Sequence, residues 1–276
     1  MREIVLGLPI DVLSREETFT VIRNWFKTDI KKPKMIVTAY GMFLVNGTRD
    51  KEFFRIVKKA DLVTPDGNSV LAAVEYNRRT QELKNSRTQS VLVKILEGLR
   101  VGGKIFKGTI GEPVTGVWLF EKITENAVKN NWRIFLLGGK DNVAEKGAEI
   151  LLKRFPGIKV AYDSGEKVAG TDIETDKRVV GKINNFKPDF LFVQYNPIVQ
   201  EKWIESHSDI LKVKVAMGYG GTLDEYAGKL KQSPEWLQTH GLKWVWRLIL
   251  EPWRWRRMVD AVIVFPWLVF RSSLTR

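Results

Sequence analysis

The chain of 276 residues contains no cysteine, which removes disulfides, thiolate metal sites and cysteine nucleophiles together and fits a reducing compartment. Histidine is nearly as scarce. His207 and His240 are far apart in dissimilar surroundings, so neither a zinc site nor a Ser-His-Asp triad has support. No two aspartates stand two positions apart, so the Asp-Xaa-Asp signature that pairs a metal with a nucleotide is missing. Met1-Arg2-Glu3 runs directly into IVLGLPIDVL without a basic, apolar and small-residue leader, and no secretory signal is read. The most apolar tract, Val259–Phe270, is interrupted by Asp260 and Pro266 and reads as too short to span a bilayer. Repeats of 20–50 residues are absent as well.

Positive charge is abundant. The net charge of +13 points to an anionic partner, whether nucleic acid, acidic lipid or a phosphorylated substrate. Much of it lies after residue 240, where seven Lys or Arg share the segment with five of the ten tryptophans.

The stretch Ala60–Asn68, ADLVTPDGN, organises the remainder. Leu62 and Val63 form an apolar run that Thr64-Pro65-Asp66-Gly67 breaks, and Asn68 or Ser69 can cap the helix suggested by Val70, Leu71, Ala73 and Val74. Asp66 thereby falls at the carboxyl end of a strand, beside a helix N-terminus, where open α/β sheets bind ligands. Asp-Gly is also ordinary turn chemistry. Met35-Ile36-Val37 is a second short strand, ending at Thr38, so two side chains reach one sheet edge.

Glu3–Val12 reads as a strand or strand pair turned at Pro9, and Ser14-Arg15-Glu16-Glu17 as a capping box before a helix. Residues 77–111 are the least legible: they read as an insertion or mobile segment, with a polar stretch, an amphipathic helix over Ser90–Leu99 and then a mobile glycine-rich loop, and a lid, an extra membrane contact and a partner surface all stay open as its role. Trp118–Val128 is predicted helical. Strands are predicted at Arg133–Leu137, Ile158–Tyr162, Phe190–Val193 and Val213–Met217, alternating with helices over residues 142–155, Asp172–Phe186, from Pro197 and around Leu223–Ala227. Asp141 is the expected cap of the first of these. The pattern predicts an α/β fold with a Rossmann-like, mostly parallel sheet covered on both faces. Its glycine turns, Gly138-Gly139 and Gly218-Tyr219-Gly220-Gly221, match neither phosphate-loop signature, yet together at one sheet edge they suggest a nucleotide pocket.

Residues 1–228 read as the α/β core and 229–276 as a basic, Trp-rich helical appendage. Alternation of Trp and Arg with aliphatics suits a helix in the membrane interface, with Trp253, Trp255, Arg256 and Trp267 as contacts. A C-terminal core helix with a basic outer face is the plainer alternative. The apolar VIVFPWLVF argues against a nucleic-acid arm.

The motifs IVTAY, ADLVTPDG, RIFLLGGKDNVAEKGAEIL, VQEKWI, VAMGYGGTLDEYAGKL and WRLILEPWRWRR, spread over nearly the whole chain, resemble the WecG/TagA/CpsF glycosyltransferases of bacterial surface-polymer synthesis. The resemblance implies a Rossmann-like core whose appendage docks peripherally on the cytoplasmic face of the inner membrane. It implies inverting, metal-independent transfer of an N-acetylmannosamine-type sugar from a UDP donor to a polyprenyl-diphosphate-linked acceptor, with no cofactor. By position, Asp66 matches the family's general base and Thr38 its essential threonine. Gln200 matches the family's glutamine before Glu-Lys-Trp and Asp224 its aspartate after the glycine turn; with Tyr40 and the turn glycines Gly138, Gly139, Gly220 and Gly221 they are the expected substrate-binding residues, and Arg247, Arg254 and Arg257 match the arginines that complete the site over the diphosphate. Tyr40 stands where the family usually has Asn, and Pro113-Val114-Thr115-Gly116-Val117-Trp118 lacks the Arg and Asp of the family's segment. Those departures motivate the second reading, a non-catalytic lipid- or polymer-binding relative on the same fold. A homo-oligomer is left open, and no nucleic-acid partner is expected.

Overall fold

The structure, a computed structural model, describes residues 1–85, 90–139, 142–165, 173–220, 233–234, 236–237 and 243–275, without the side chains of residues 84, 85, 243, 247 and 254. The chain opens with a hairpin of β1 (Arg2–Val5) and β2 (Leu8–Asp11), whose turn is Leu6-Gly7, both at positive φ. The turn is therefore not at Pro9. Pro9 sits inside β2 opposite Ile4, tolerated because a two-stranded ribbon leaves its nitrogen no ladder bond to make. Helix α1 (Arg15–Trp25) follows, and the expected capping box is present. Then come β3 (Lys34–Ala39), α2 (Gly41–Arg49), α3 (Lys51–Lys59) and β4 (Leu62–Pro65).

The region predicted as an insertion is largely helical. Helix α4 (Asn68–Asn85) runs well into it, and α5 spans Val91–Phe106 with Ser90 as its N-cap. The glycines Gly102 and Gly103, read as the start of a mobile loop, lie inside α5. Each costs about 1 kcal/mol of helix propensity. Tertiary contacts on either side of them offset that cost: Val101 is buried, and Lys104 Nζ donates to Glu75 Oε1 of α4 at 2.6 Å.

Next are α6 (Gly116–Ala127), β5 (Arg133–Gly138), α7 (Val143–Arg154), β6 (Lys159–Asp163), α8 (Ile173–Phe186), β7 (Phe190–Gln194), α9 (Val199–His207) and β8 (Val215–Gly218). Six strands form one parallel sheet in the order β4-β3-β8-β7-β5-β6. Its strands read as continuous apolar runs because both faces are covered. Val37, Val63, Leu137, Leu191 and Val193 pack with α2, α3, α4, α8 and α9, while Ile36, Leu62, Leu136, Phe190 and Phe192 pack with α1, α6 and α7. The hairpin is tied to edge strand β4 by Asp11, whose Oδ2 accepts from the Val63 N–H at 2.8 Å while its Oδ1 pairs with Arg2. Covering that edge removes a template for intermolecular pairing.

In the C-terminal part, α10 (Lys243–Leu250) precedes a single turn over Pro252–Arg254 and a long helix α11 (Trp255–Thr275). Within α11, Asp260–Val264 is π-helical, which accommodates the missing N–H of Pro266 one turn later. The apolar tract is thus part of a 21-residue helix, long and apolar enough to cross a membrane by length and composition. This corrects the sequence-based view that it falls short. One side of α11 is fastened to the core: Phe265 and Val269 are buried there, and Arg49 makes two hydrogen bonds to Asp260, at 2.8 and 2.9 Å. Gly41 permits the approach, since a Cβ there would lie 3.0 Å from the Phe265 ring and 3.2 Å from the Ala261 carbonyl oxygen.

Candidate active site at the carboxyl edge of the sheet

Because all six strands are parallel, their carboxyl ends form a single row. Asp66 follows β4, Thr38 and Tyr40 close β3, Gly220 follows β8, Gln194 closes β7, Gly138 closes β5 and Asp163 closes β6. Helices α2, α4, α7 and α9 each begin there and direct free N–H groups and the positive ends of their dipoles at it. The helices after β5 and β7 lie on opposite faces of the sheet, so the two strands enclose the crevice in which open α/β sheets hold their ligands.

Thr38 and Asp66 are brought together as expected. Thr38 is in register with Thr64 of the neighbouring strand, and the Asp66 N–H donates to the Ala39 carbonyl at 2.7 Å. This bond extends the ladder past Pro65 and holds Asp66 over the end of β3. Gly67 then turns the chain at φ 130° into α4. The Thr64 hydroxyl beneath is fully buried and has no hydrogen-bond partner among the described residues. Tyr40 occupies the N-cap position of α2 with its ring against Phe43.

The β5–β7 crevice is closely built. Gly138, at φ 92°, lies where a Cβ would come within 2.5 Å of the Gln194 carbonyl oxygen, and the Gly139 N–H donates to that oxygen at 2.9 Å. These two glycines are thus required by the backbone itself. Asn142, in left-handed conformation, takes the N-cap position of α7 without a side-chain hydrogen bond, and Asp141 lies outside the described residues. On the other side, Gln200 is buried, donates Nε2 to Glu201 Oε1 at 2.7 Å and accepts the Gly220 N–H on Oε1 at 3.2 Å. It thereby couples the start of α9 to the glycine turn after β8. Gly221 and Asp224, farther along that turn, lie outside the described residues, as do the side chains of Arg247 and Arg254. Arg257 is on the first turn of α11 and partly exposed.

Four features of this edge escaped the sequence. Glu201 is buried beneath Gly218, its Oε2 accepting from the Ile198 N–H at 2.8 Å; burial of the carboxyl raises its pKa to about 7 against the opposing pull of the Gln200 and Ile198 hydrogen bonds. Ile198 itself has φ 80°, a strained conformation for a β-branched residue and one that clusters at functional sites. The Asp163 carboxylate accepts from Arg178 at 2.7 and 2.9 Å, from Lys182 at 3.0 Å and from the Gly165 N–H. Burial would raise its pKa, but those donors outweigh burial and hold it well below the usual carboxylate range. Nearby, the buried Tyr195 hydroxyl has no hydrogen-bond partner among the described residues, and burial, with Asp163 and Asp176 in the vicinity, raises its pKa. The Glu three residues past Ile198 and the basic residues four apart on α8 were visible, but nothing in the sequence told buried from solvated.

A doubly wound parallel sheet with polar residues, glycine turns and helix N-termini gathered along one carboxyl edge defines a ligand-binding α/β protein. The chain matches the Glycosyl transferase WecG/TagA/CpsF family over residues 3–97 and 87–276, and it belongs to that family. It is a glycosyltransferase. One relative, the N-acetylglucosaminyldiphosphoundecaprenol N-acetyl-beta-D-mannosaminyltransferase of Bacillus subtilis (strain 168), is 30% identical over 233 residues, 84% of this chain and 77% of the relative. The enzyme of the same name from Staphylococcus aureus (strain MRSA252) is 26% identical over 271 residues, 98% of this chain and 92% of its own.

Proposed function

We propose that the chain transfers an N-acetylmannosamine-type sugar from a UDP donor to N-acetylglucosamine carried on a polyprenyl diphosphate, in cell-surface polymer synthesis. The observation that carries this reading is the placement of Asp66 beside Thr38 at the carboxyl edge, in a chain whose relatives are named for that acceptor and that sugar. The Asp66 carboxylate takes the proton from the attacking hydroxyl of the acceptor sugar. That oxygen bonds the anomeric carbon as the bond to UDP breaks on the opposite side, and UDP departs with the electron pair, inverting the centre. Gln200 and the turns at Gly138-Gly139 and Gly220-Gly221, with Asp224, hold the donor. Arg247, Arg254 and Arg257, with the helix N-termini, stabilise the leaving diphosphate in place of a metal. Access to a lipid-linked acceptor calls for a peripheral position on the cytoplasmic face of the membrane. The exposed Trp253, Trp255, Arg256 and Trp267 suit that position, with the Arg256 guanidinium stacked over Trp255.

The test is UDP release from a panel of UDP-N-acetylhexosamines with a short-chain lipid-diphosphate N-acetylglucosamine acceptor. Acceptor-dependent release that survives EDTA and falls by roughly 100-fold or more in Asp66→Asn is expected. Release unchanged in the variant would remove Asp66 from the mechanism. No release from any donor would favour a non-catalytic relative.

A further inference from the structure

Helix α5 is amphipathic in the wrong sense for water. Its apolar side chains Val91, Leu92, Ile95, Leu96, Leu99 and Phe106 share one helix face, and each is 44–69% exposed. Of its charged residues all but Arg100 turn inward: Glu97 pairs with Arg79, Lys104 with Glu75, and Lys94 Nζ donates to the Ser273 carbonyl at 2.6 Å. A helix on a solvated surface has the opposite arrangement. The last of these contacts also fixes where α5 lies, directly against the C-terminal end of α11. Tyr76 of α4 reaches the same place, its hydroxyl 3.0 Å from Ser273 Oγ. Helix α11 repeats the pattern. Asp260 is neutralised on the inner side by Arg49, and Val262, Ile263 and Trp267 point outward.

We propose that α5 is a second membrane-inserting element, forming with α11 one apolar face that sits in the acyl-headgroup boundary of an anionic bilayer. This rests on the membrane-associated reading above and extends it to a segment outside the C-terminal appendage. The two helices meet at Ser273, and each exposes several large apolar side chains, more than scattered single exposures on a solvated surface. Exposed cations accompany them: Arg100 on α5, Lys107 just past its end, and Arg256 and Arg271 on α11. That charge suits lipid phosphates. It is unsuited to a second copy, because a twofold contact would set the same cations against each other. The inner sides of both helices are occupied by the core, so α11 lies along the membrane in this arrangement instead of crossing it.

The absence of cysteine allows single labels. An environment-sensitive fluorophore would be placed on full-length Leu96→Cys (α5), Ile263→Cys (α11) and Lys153→Cys (exposed on α7, across the sheet), and vesicles of phosphatidylethanolamine and phosphatidylglycerol added. Blue shifts and quenching by spin-labelled lipid at Leu96 and Ile263, but not Lys153, are expected. A response at Ile263 alone would overturn the role of α5 while leaving the peripheral-membrane reading intact. No response at either would overturn both. A shift at Leu96 without vesicles, rising with protein concentration, would assign the face to a second copy. The paired change Leu96→Ser/Leu99→Ser should weaken vesicle binding by roughly tenfold or more per leucine. UDP release with a soluble short-chain acceptor should be unaffected, and undiminished vesicle binding would refute the proposal.

Discussion

Glu201 offers the sharpest test of the site's architecture, because its carboxyl is fully buried yet held by two donors. Its pKa rises from 4.5 to about 7 on folding, because burial penalises the charged form by more than the hydrogen bonds from Gln200 and Ile198 favour it. A carboxyl with a folded pKa above its unfolded value binds its proton more tightly in the native state. Its favourable contribution is complete below pH 4.5 and is lost as pH rises through about 7. At about 1.4 kcal/mol per pH unit, the interval amounts to on the order of 3 kcal/mol. Glu201→Gln removes the titration. It also sets an amide N–H₂ against one of two donors, a pH-independent cost of about 1–3 kcal/mol.

Urea unfolding of wild type and Glu201→Gln, followed in parallel by tryptophan fluorescence from about pH 5 to about pH 8, separates the two contributions. All other titrations are common to both proteins and cancel in the difference. Wild type is expected to lose on the order of 3 kcal/mol relative to the variant across that range. Most of the change should come before pH 7. Curves that stay parallel would show that Glu201 remains ionised in the native state, and the account of a burial-dominated carboxyl under Gly218 would fall.

Gly138→Ala places a Cβ 2.5 Å from the Gln194 carbonyl oxygen at φ 92°, so both sterics and backbone conformation oppose it. A loss on the order of 3 kcal/mol is expected, read as a drop in Tm of roughly 5–10 °C by calorimetry, and an unshifted Tm would refute the close approach. Gly41→Val presses on Phe265 and the Ala261 carbonyl and should loosen α11 from α2 at a cost of about 1–3 kcal/mol. Limited trypsin digestion should then cleave faster at Arg256, Arg257 and Arg271, and an unchanged rate would mean that Gly41 does not set the docking.

What could be read in advance follows from how local each signal is. Apolar runs ended by Thr38, Asp66, Gly138 and Gln194 locate strand ends, since a strand buried on both faces needs continuous apolar residues whatever its neighbours. Strand order is not local. Nothing between residues 133 and 218 announces that β7 and β8 insert between β5 and β3, and this insertion creates the β5–β7 crevice. Asp163 and Glu201 were likewise hidden, because an acidic residue near a turn is usually solvated and only the packing of α8 and α9 buries these two. Pro9 misled for the converse reason: a strong local turn signal lost to Leu6-Gly7, where the hairpin twist demands positive φ at two successive residues.

Periodicity also gives a helix its apolar face without saying which way that face looks. In α5 the pattern of Val91, Leu92, Ile95, Leu96 and Leu99 would normally be assigned to the core. The deciding information lies in the polar residues between them. Glu97 and Lys104 have opposite charges waiting on α4, and Lys94 has a carbonyl on α11. Turning α5 over would bury those charges against apolar surface or leave Glu75 and Arg79 without these partners, at a cost that burying a few leucines does not offset. The inward polar contacts thus select the orientation, and on the proposal above the leucines it leaves outward are received by the apolar side of a bilayer.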